Sequence, residues 1–75
     1  MIKPIQFKQV DKETWEGHCP FLNKFWNGYI LEDGKIENSD NAGEVFNTPE
    51  EFFEFVEEER LAEINTALAI ASRII

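Results

Sequence analysis

The stretch Trp26-Asn27-Gly28-Tyr29-Ile30-Leu31-Glu32-Asp33-Gly34-Lys35-Ile36-Glu37 decides the fold class. Its first half is rich in β-formers and its second half resumes them after Asp33-Gly34. Asp-Gly is the favoured pair for a two-residue type I′ turn, because both central residues take positive φ. The reading is a β-hairpin of about 25–32 with 35–38. Alternation puts Trp26, Gly28 and Ile30 on one face, and Tyr29 and Leu31 on the other.

Strand signals continue on either side. Ile5-Gln6-Phe7-Lys8-Gln9-Val10 alternates apolar and polar, the mark of a half-buried strand. Asp11 to Gly17 reads as a loop or a single helical turn, and Phe21 to Phe25 as either strand or helical turn. Asn38 to Gly43 is a polar loop of turn formers, and Glu44-Val45-Phe46 a short further strand.

Thr48-Pro49-Glu50-Glu51 then starts a helix. Thr48 is the cap, Pro49 suits the first helical position, and Glu51 completes a capping box. Neither Gly nor Pro occurs from Glu50 to the end. A single helix of 49–74 would be about 39 Å long, so a break near Glu57-Glu58-Glu59 is an open alternative. At 100° per residue, Phe53, Val56, Ile64, Ala67, Leu68, Ala71, Ile74 and Ile75 share the face that packs on the sheet. The expected fold is therefore α+β in one domain, 1–75. It is a small antiparallel sheet of three to four strands, with one long or two short C-terminal helices on one face.

Charge narrows the partners. The 75 residues carry net charge −8. Residues 1–30 hold +1 and residues 31–75 hold −9. Such a chain is repelled by phosphate backbones and anionic lipid. Direct nucleic-acid and membrane binding are disfavoured, and a basic protein surface is the favoured partner. With one cysteine and no apolar signal segment, the expected location is the cytoplasm, or the host cytoplasm for a phage protein.

Three constellations carry the functional reading. The run Glu50, Glu51, Glu54, Glu57, Glu58, Glu59, Glu63 forms an acidic helix flank, relieved within the run only by Arg60. Like charges at i, i+4 repel and do nothing for folding alone. Glu50, Glu54, Glu57 and Glu58 are the expected steering residues, set against the plain alternative of a solvated face. Tyr29 and Trp26 are the expected aromatic anchors, set against the alternative of core packing. Leu61 to Ile75 is apolar nearly all round, which points to burial under other elements or against a second copy. His18-Cys19 is the sole conceivable nucleophile or ligand pair. Structural zinc needs four ligands, and a cysteine nucleophile needs an orienting group besides its base. The expectation is therefore no catalytic residue, no metal and no cofactor.

The hairpin Tyr29 to Ile36 is followed by Phe46-Asn47-Thr48-Pro49-Glu50, then Ile64-Asn65-Thr66-Ala67 and Ser72-Arg73. This order resembles small phage-encoded anti-CRISPR proteins, in which a sheet precedes two helices. The resemblance covers roughly residues 26–73. It implies a non-catalytic inhibitor that sticks to the crRNA-bearing backbone subunits of a surveillance complex. It also implies contacts from tyrosines and an acid on the open sheet face. Tyr29 is the matching position, and Leu31 departs from the pattern at the nearest equivalent one.

The expected function is an acidic inhibitor, DNA-mimic-like, that occludes a basic surface of a nucleic-acid-handling complex. Two other classes stand beside it. One is a self-associating structural or adaptor protein, homodimeric through its C-terminal helix. The other is a small enzyme, for which no convergent residue set is present.

Overall fold

The computed structural model describes residues 5–74, with side chains described through residue 72. Five antiparallel strands lie side by side in chain order: β1 (Phe7–Asp11), β2 (Thr14–Cys19), β3 (Lys24–Ile30), β4 (Ile36–Asn38) and β5 (Val45–Phe46). One continuous helix, α1 (Pro49–Ile74), follows and packs across one face. The α+β class is as the sequence implies. The helix does not break at Glu57-Glu58-Glu59.

The additional strand is β2. It alternates Trp15, Gly17 and Cys19 toward the helix with Thr14, Glu16 and His18 away from it. Gly17 closes the stretch from Asp11 that the sequence reads as a loop or a single helical turn. In the fold it is an inward position with no room for a side chain: a Cβ there would lie 2.5 Å from the Phe7 ring. Phe7 and Gly17 are direct cross-strand partners. The Asp11 carboxylate accepts the Glu13 N–H at 2.8 Å and closes the β1–β2 turn.

The β3–β4 hairpin has the expected strands but a different turn. Gly34 alone takes positive φ, at 86°. Gly34 N–H donates to Leu31 O at 2.9 Å, and Leu31 N–H to Lys35 O at 2.8 Å. The loop is thus three residues, Glu32-Asp33-Gly34, with only the glycine left-handed. That form spares Asp33 the positive φ a two-residue turn demands. Asp33 Oδ1 instead accepts the Lys35 N–H at 3.1 Å.

The helix start is the capping box with one change. Glu51 N–H donates to Thr48 Oγ1 at 3.2 Å, while Glu51 Oε2 accepts from Asn47 N, not Thr48 N, at 3.0 Å. From there Phe52, Val56, Arg60 and Ile64 point at the sheet. They meet Trp26, Ile36, Cys19 and Ile5 in the core. The buried line begins at Phe52, not Phe53: it steps in fours through Val56, Arg60 and Ile64, which leaves Phe53 about 100° round the helix on its flank. Phe53 stacks on Phe7 at 4.2 Å, and Phe55 lies 5.1 Å from Phe46, so both flank the core. Ala67, Leu68 and Ala71, assigned by periodicity to the packed face, are exposed. The helix has run past the sheet by then. The expected packing of the Ile74 and Ile75 side chains lies outside the described residues.

Candidate functional site

The acidic run divides into acids that hold the fold and acids that face water. Glu57 Oε1 accepts the Ile5 N–H at 2.9 Å, and its Oε2 lies 2.8 Å from Arg60 Nη2. Glu59 Oε2 accepts the Trp26 indole N–H at 2.9 Å. Glu63 pairs with Lys24 at 3.0 Å, and the Lys24 ammonium lies 4.8 Å from the Trp26 ring centroid. Glu51 closes the capping box. Among the described residues, Glu50, Glu54 and Glu58 have no ion-pair or hydrogen-bond partner, and all three are exposed.

Arg60 is the buried cation of the run, and Glu57 is its partner. Its side chain is 3% exposed, with Nη1 3.9 Å from Cys19 Sγ. Its Nε is buried with no partner among the described residues. Burial disfavours the charged guanidinium. The hydrogen bonds to Glu57 and Cys19, with the Glu57 charge, outweigh that and hold its pKa above the ordinary arginine value. Arg60 therefore stays charged in the core.

Of the expected site residues, Glu50, Glu54 and Glu58 lie together on the solvent side of α1. Glu57 sits beside them but is committed to Arg60 and Ile5. Glu54, Glu57 and Glu58 border a shallow groove of about 430 Å³ whose other walls are Ile5, Phe7 and Phe53. Acids thus flank an apolar strip along the β1 side of the helix. Trp26 is not part of any surface: it is 1% exposed, in the centre of the core. Its place there follows from strand alternation opposite Phe52 and Val56.

Tyr29 is 48% exposed on the other face of the sheet. Its direct cross-strand partners are Thr14 on β2 and Glu37 on β4, and Glu37 in turn faces Val45 on β5. The same face carries Phe25, stacked on its cross-strand partner His18 at 4.3 Å. The sheet itself therefore separates Tyr29 from the acidic stripe, and the two do not form one surface. Sequence reasoning missed Phe7, Phe53 and Glu37. Phe7 and Phe53 lie on predicted elements, and Glu37 follows from the hairpin register once β4 is placed.

His18 and Cys19 point to opposite faces of β2, the imidazole outward and the thiol fully buried. Among the described residues no cluster of three or more His, Cys, Asp or Glu is placed to hold a metal ion. No helix among them is long and apolar enough to cross a membrane. Comparison with protein families, with curated proteins and with solved structures finds no match to this chain.

Proposed function

We propose that this protein is a non-catalytic, acidic interaction protein that occludes a basic, nucleic-acid-binding surface of a partner complex. The observation that carries the reading is the acid-bordered groove beside β1. Glu54 and Glu58 project free carboxylates along a strip floored by Ile5, Phe7 and Phe53. Carboxylates of this kind steer a basic surface into contact, and apolar side chains between them anchor it once water is expelled. Glu50, one turn earlier, extends the negative border. Glu50 lies in the first turn, where it complements the helix dipole; Glu54 and Glu58 have no such partner in the fold, which supports a role outside it.

The resemblance to anti-CRISPR proteins favours the opposite face as a second contact surface. Tyr29 and Glu37 stand side by side there, a tyrosine and an acid on an open sheet. An inhibitor of that kind presses this pair against a subunit that carries RNA. A phage origin and a host-cytoplasmic target belong to this reading.

Capture from bacterial lysate tests both surfaces. Tagged wild-type, Glu54→Lys/Glu58→Lys and Tyr29→Ala/Glu37→Ala chains are washed at low and high salt, and the eluates are identified by mass spectrometry. The expected result is a nucleic-acid-handling protein retained by wild-type at low salt and lost at high salt. Loss of that protein with the lysine variant assigns the groove, and loss with the alanine variant assigns the sheet face. Retention by both variants overturns the proposal.

A further inference from the structure

We propose that the outer edge of β1 is a strand-docking site, at which an extended basic segment of a partner adds to the sheet beside Phe7–Gln9 and lays alternate side chains in the groove under Glu54 and Glu58. This inference rests on the groove reading above and names the form of its partner.

The sheet ends at β1 with its ladder open. Among the described residues β1 pairs only with β2. Alternate residues along it therefore turn their N–H and C=O groups outward, a template for one more strand. Lys8 to Asp11 are all exposed. The opposite edge offers far less, since β5 is two residues long and leads almost at once into α1. The bulge in β1 falls between Gln9 and Asp11. It disturbs the far end of the strand and leaves Phe7–Gln9 regular, the part that borders the groove.

The helix acids overhang this edge. Glu57 reaches its backbone directly: Oε1 accepts the Ile5 N–H at 2.9 Å, just ahead of β1. Glu54 and Glu58 border the same groove and have no partner among the described residues. A strand added beside β1 would lie about 4.8 Å from it. Its side chains on the helix side enter the groove. There Phe7 and Phe53 meet apolar groups, and Glu54 and Glu58 meet ammonium or guanidinium groups. The side chains between them face away from the helix, beside Lys8, whose charge favours polar neighbours over basic ones. The site therefore selects a pattern, with apolar and basic residues together at every second position of an extended chain.

Charge excludes a second copy from this edge. Two β1 strands side by side would bring together two chains of net charge −8, each with its acidic helix flank at the contact. A basic segment is attracted by the same field.

Titration of the 15N-labelled full chain with a blocked peptide of about eight residues, the span of a strand, tests this by NMR. The probe carries Lys and Val at alternate positions and Thr between them. Shifts centred on β1 and slowed exchange of its outward amides are expected, with β5 unchanged. Glu54→Gln/Glu58→Gln, at exposed positions, is expected to weaken binding about tenfold with an unchanged circular dichroism spectrum. Two further probes are N-methylated, one at the Lys and Val residues and the other at the Thr residues. Residues on one face of a strand share an N–H direction, so one probe is expected to lose binding and the other to keep it. Equal binding by both overturns the proposal, because the groove is then filled without strand pairing. So does the absence of shifts at β1 up to about 1 mM peptide, or binding indifferent to Glu54→Gln/Glu58→Gln. Lysate capture with Glu54→Lys/Glu58→Lys decides the groove reading separately, so a failed strand and a failed groove are told apart.

Discussion

The indole N–H of Trp26 donates to Glu59 Oε2 at 2.9 Å across the junction of sheet and helix. The ring is the largest fully buried side chain. Its one polar atom reaches the rim of the core, where a glutamate that looks free in sequence accepts it. This bond fixes where α1 sits along β3, and Lys24–Glu63 repeats the same cross-link one helical turn later.

Removing the acceptor leaves a buried donor without a partner. Glu59→Ala is expected to destabilise the domain by about 1–3 kcal/mol. That corresponds to roughly 4–8 °C in Tm for each kcal/mol in a domain of this size. Glu59→Gln retains an acceptor oxygen and is expected to cost less than half as much. Urea titration followed by tryptophan fluorescence measures both. Equal losses for Ala and Gln would show that the carboxylate charge, not the hydrogen bond, matters.

The fold was largely legible because its strongest signals are local. The hairpin around Asp33-Gly34 and the Thr48–Glu51 box each depend on a few adjacent residues. The strand β2 was not legible, since Asp11 to Gly17 is polar apart from Trp15, and the inward place of Gly17 shows only once Phe7 is known to cover it. The site was less legible still. Whether Glu54 is free and Glu57 is spent depends on Arg60 pointing inward, and an arginine among seven glutamates looks like surface relief. The open Tyr29 face was readable from period-two alternation. Its separation from the acidic stripe was not, because that depends on which face the helix covers.

Arg60 is the second point of vulnerability. Arg60→Ala removes a buried guanidinium, leaves Glu57 without its cation and opens a void beside Cys19. A loss of about 3–5 kcal/mol is expected, as for breaking one side of a buried pair, and a domain this small stands close to unfolding at that cost. Arg60→Met fills the space and is expected to recover at least half of it. The guanidinium pKa is raised, so its contribution to stability is complete below the unfolded arginine pKa and is lost only as pH climbs past the folded one. Thermal melts from pH 6 to pH 9 are therefore expected to show no titration assignable to Arg60. A wild-type-specific stability change in that range, absent in Arg60→Met, would contradict this.

Gly28 tests the fit of helix on sheet. A Cβ there would sit 2.6 Å from Ile36 Cγ2 and 2.9 Å from Phe52 Cε2. Neither neighbour is at a flexible chain end, so Gly28→Ala forces α1 away from β3. The expected cost is about 1–3 kcal/mol, typical of overpacking. Gly43→Ala meets no atom within 4 Å but sits at φ 91°, so its cost is backbone strain alone, on the order of 1 kcal/mol. Chemical denaturation of the two variants is expected to rank Gly28→Ala as the more damaging. The reverse order would mean that the helix seats less tightly than these distances require.

The acidic border separates function from folding most cleanly. Glu54 and Glu58 lie four residues apart on one helix face; replacing both with lysine keeps a like-charge pair there but turns the repulsion between Glu50 and position 54 into an attraction, worth roughly a few tenths of a kcal/mol, and reduces the net charge of −8. Stability is expected to hold or rise slightly. Binding to the basic partner responds the other way. The association rate falls, because steering by charge is lost, and the dependence of that rate on salt flattens. Dissociation, governed by the apolar strip of Phe7 and Phe53, changes much less. Stopped-flow or biosensor kinetics at several salt concentrations resolve the two rates. An unchanged association rate would remove Glu54 and Glu58 from the binding surface. It would leave them the plainer task of keeping a helix with an apolar end in solution.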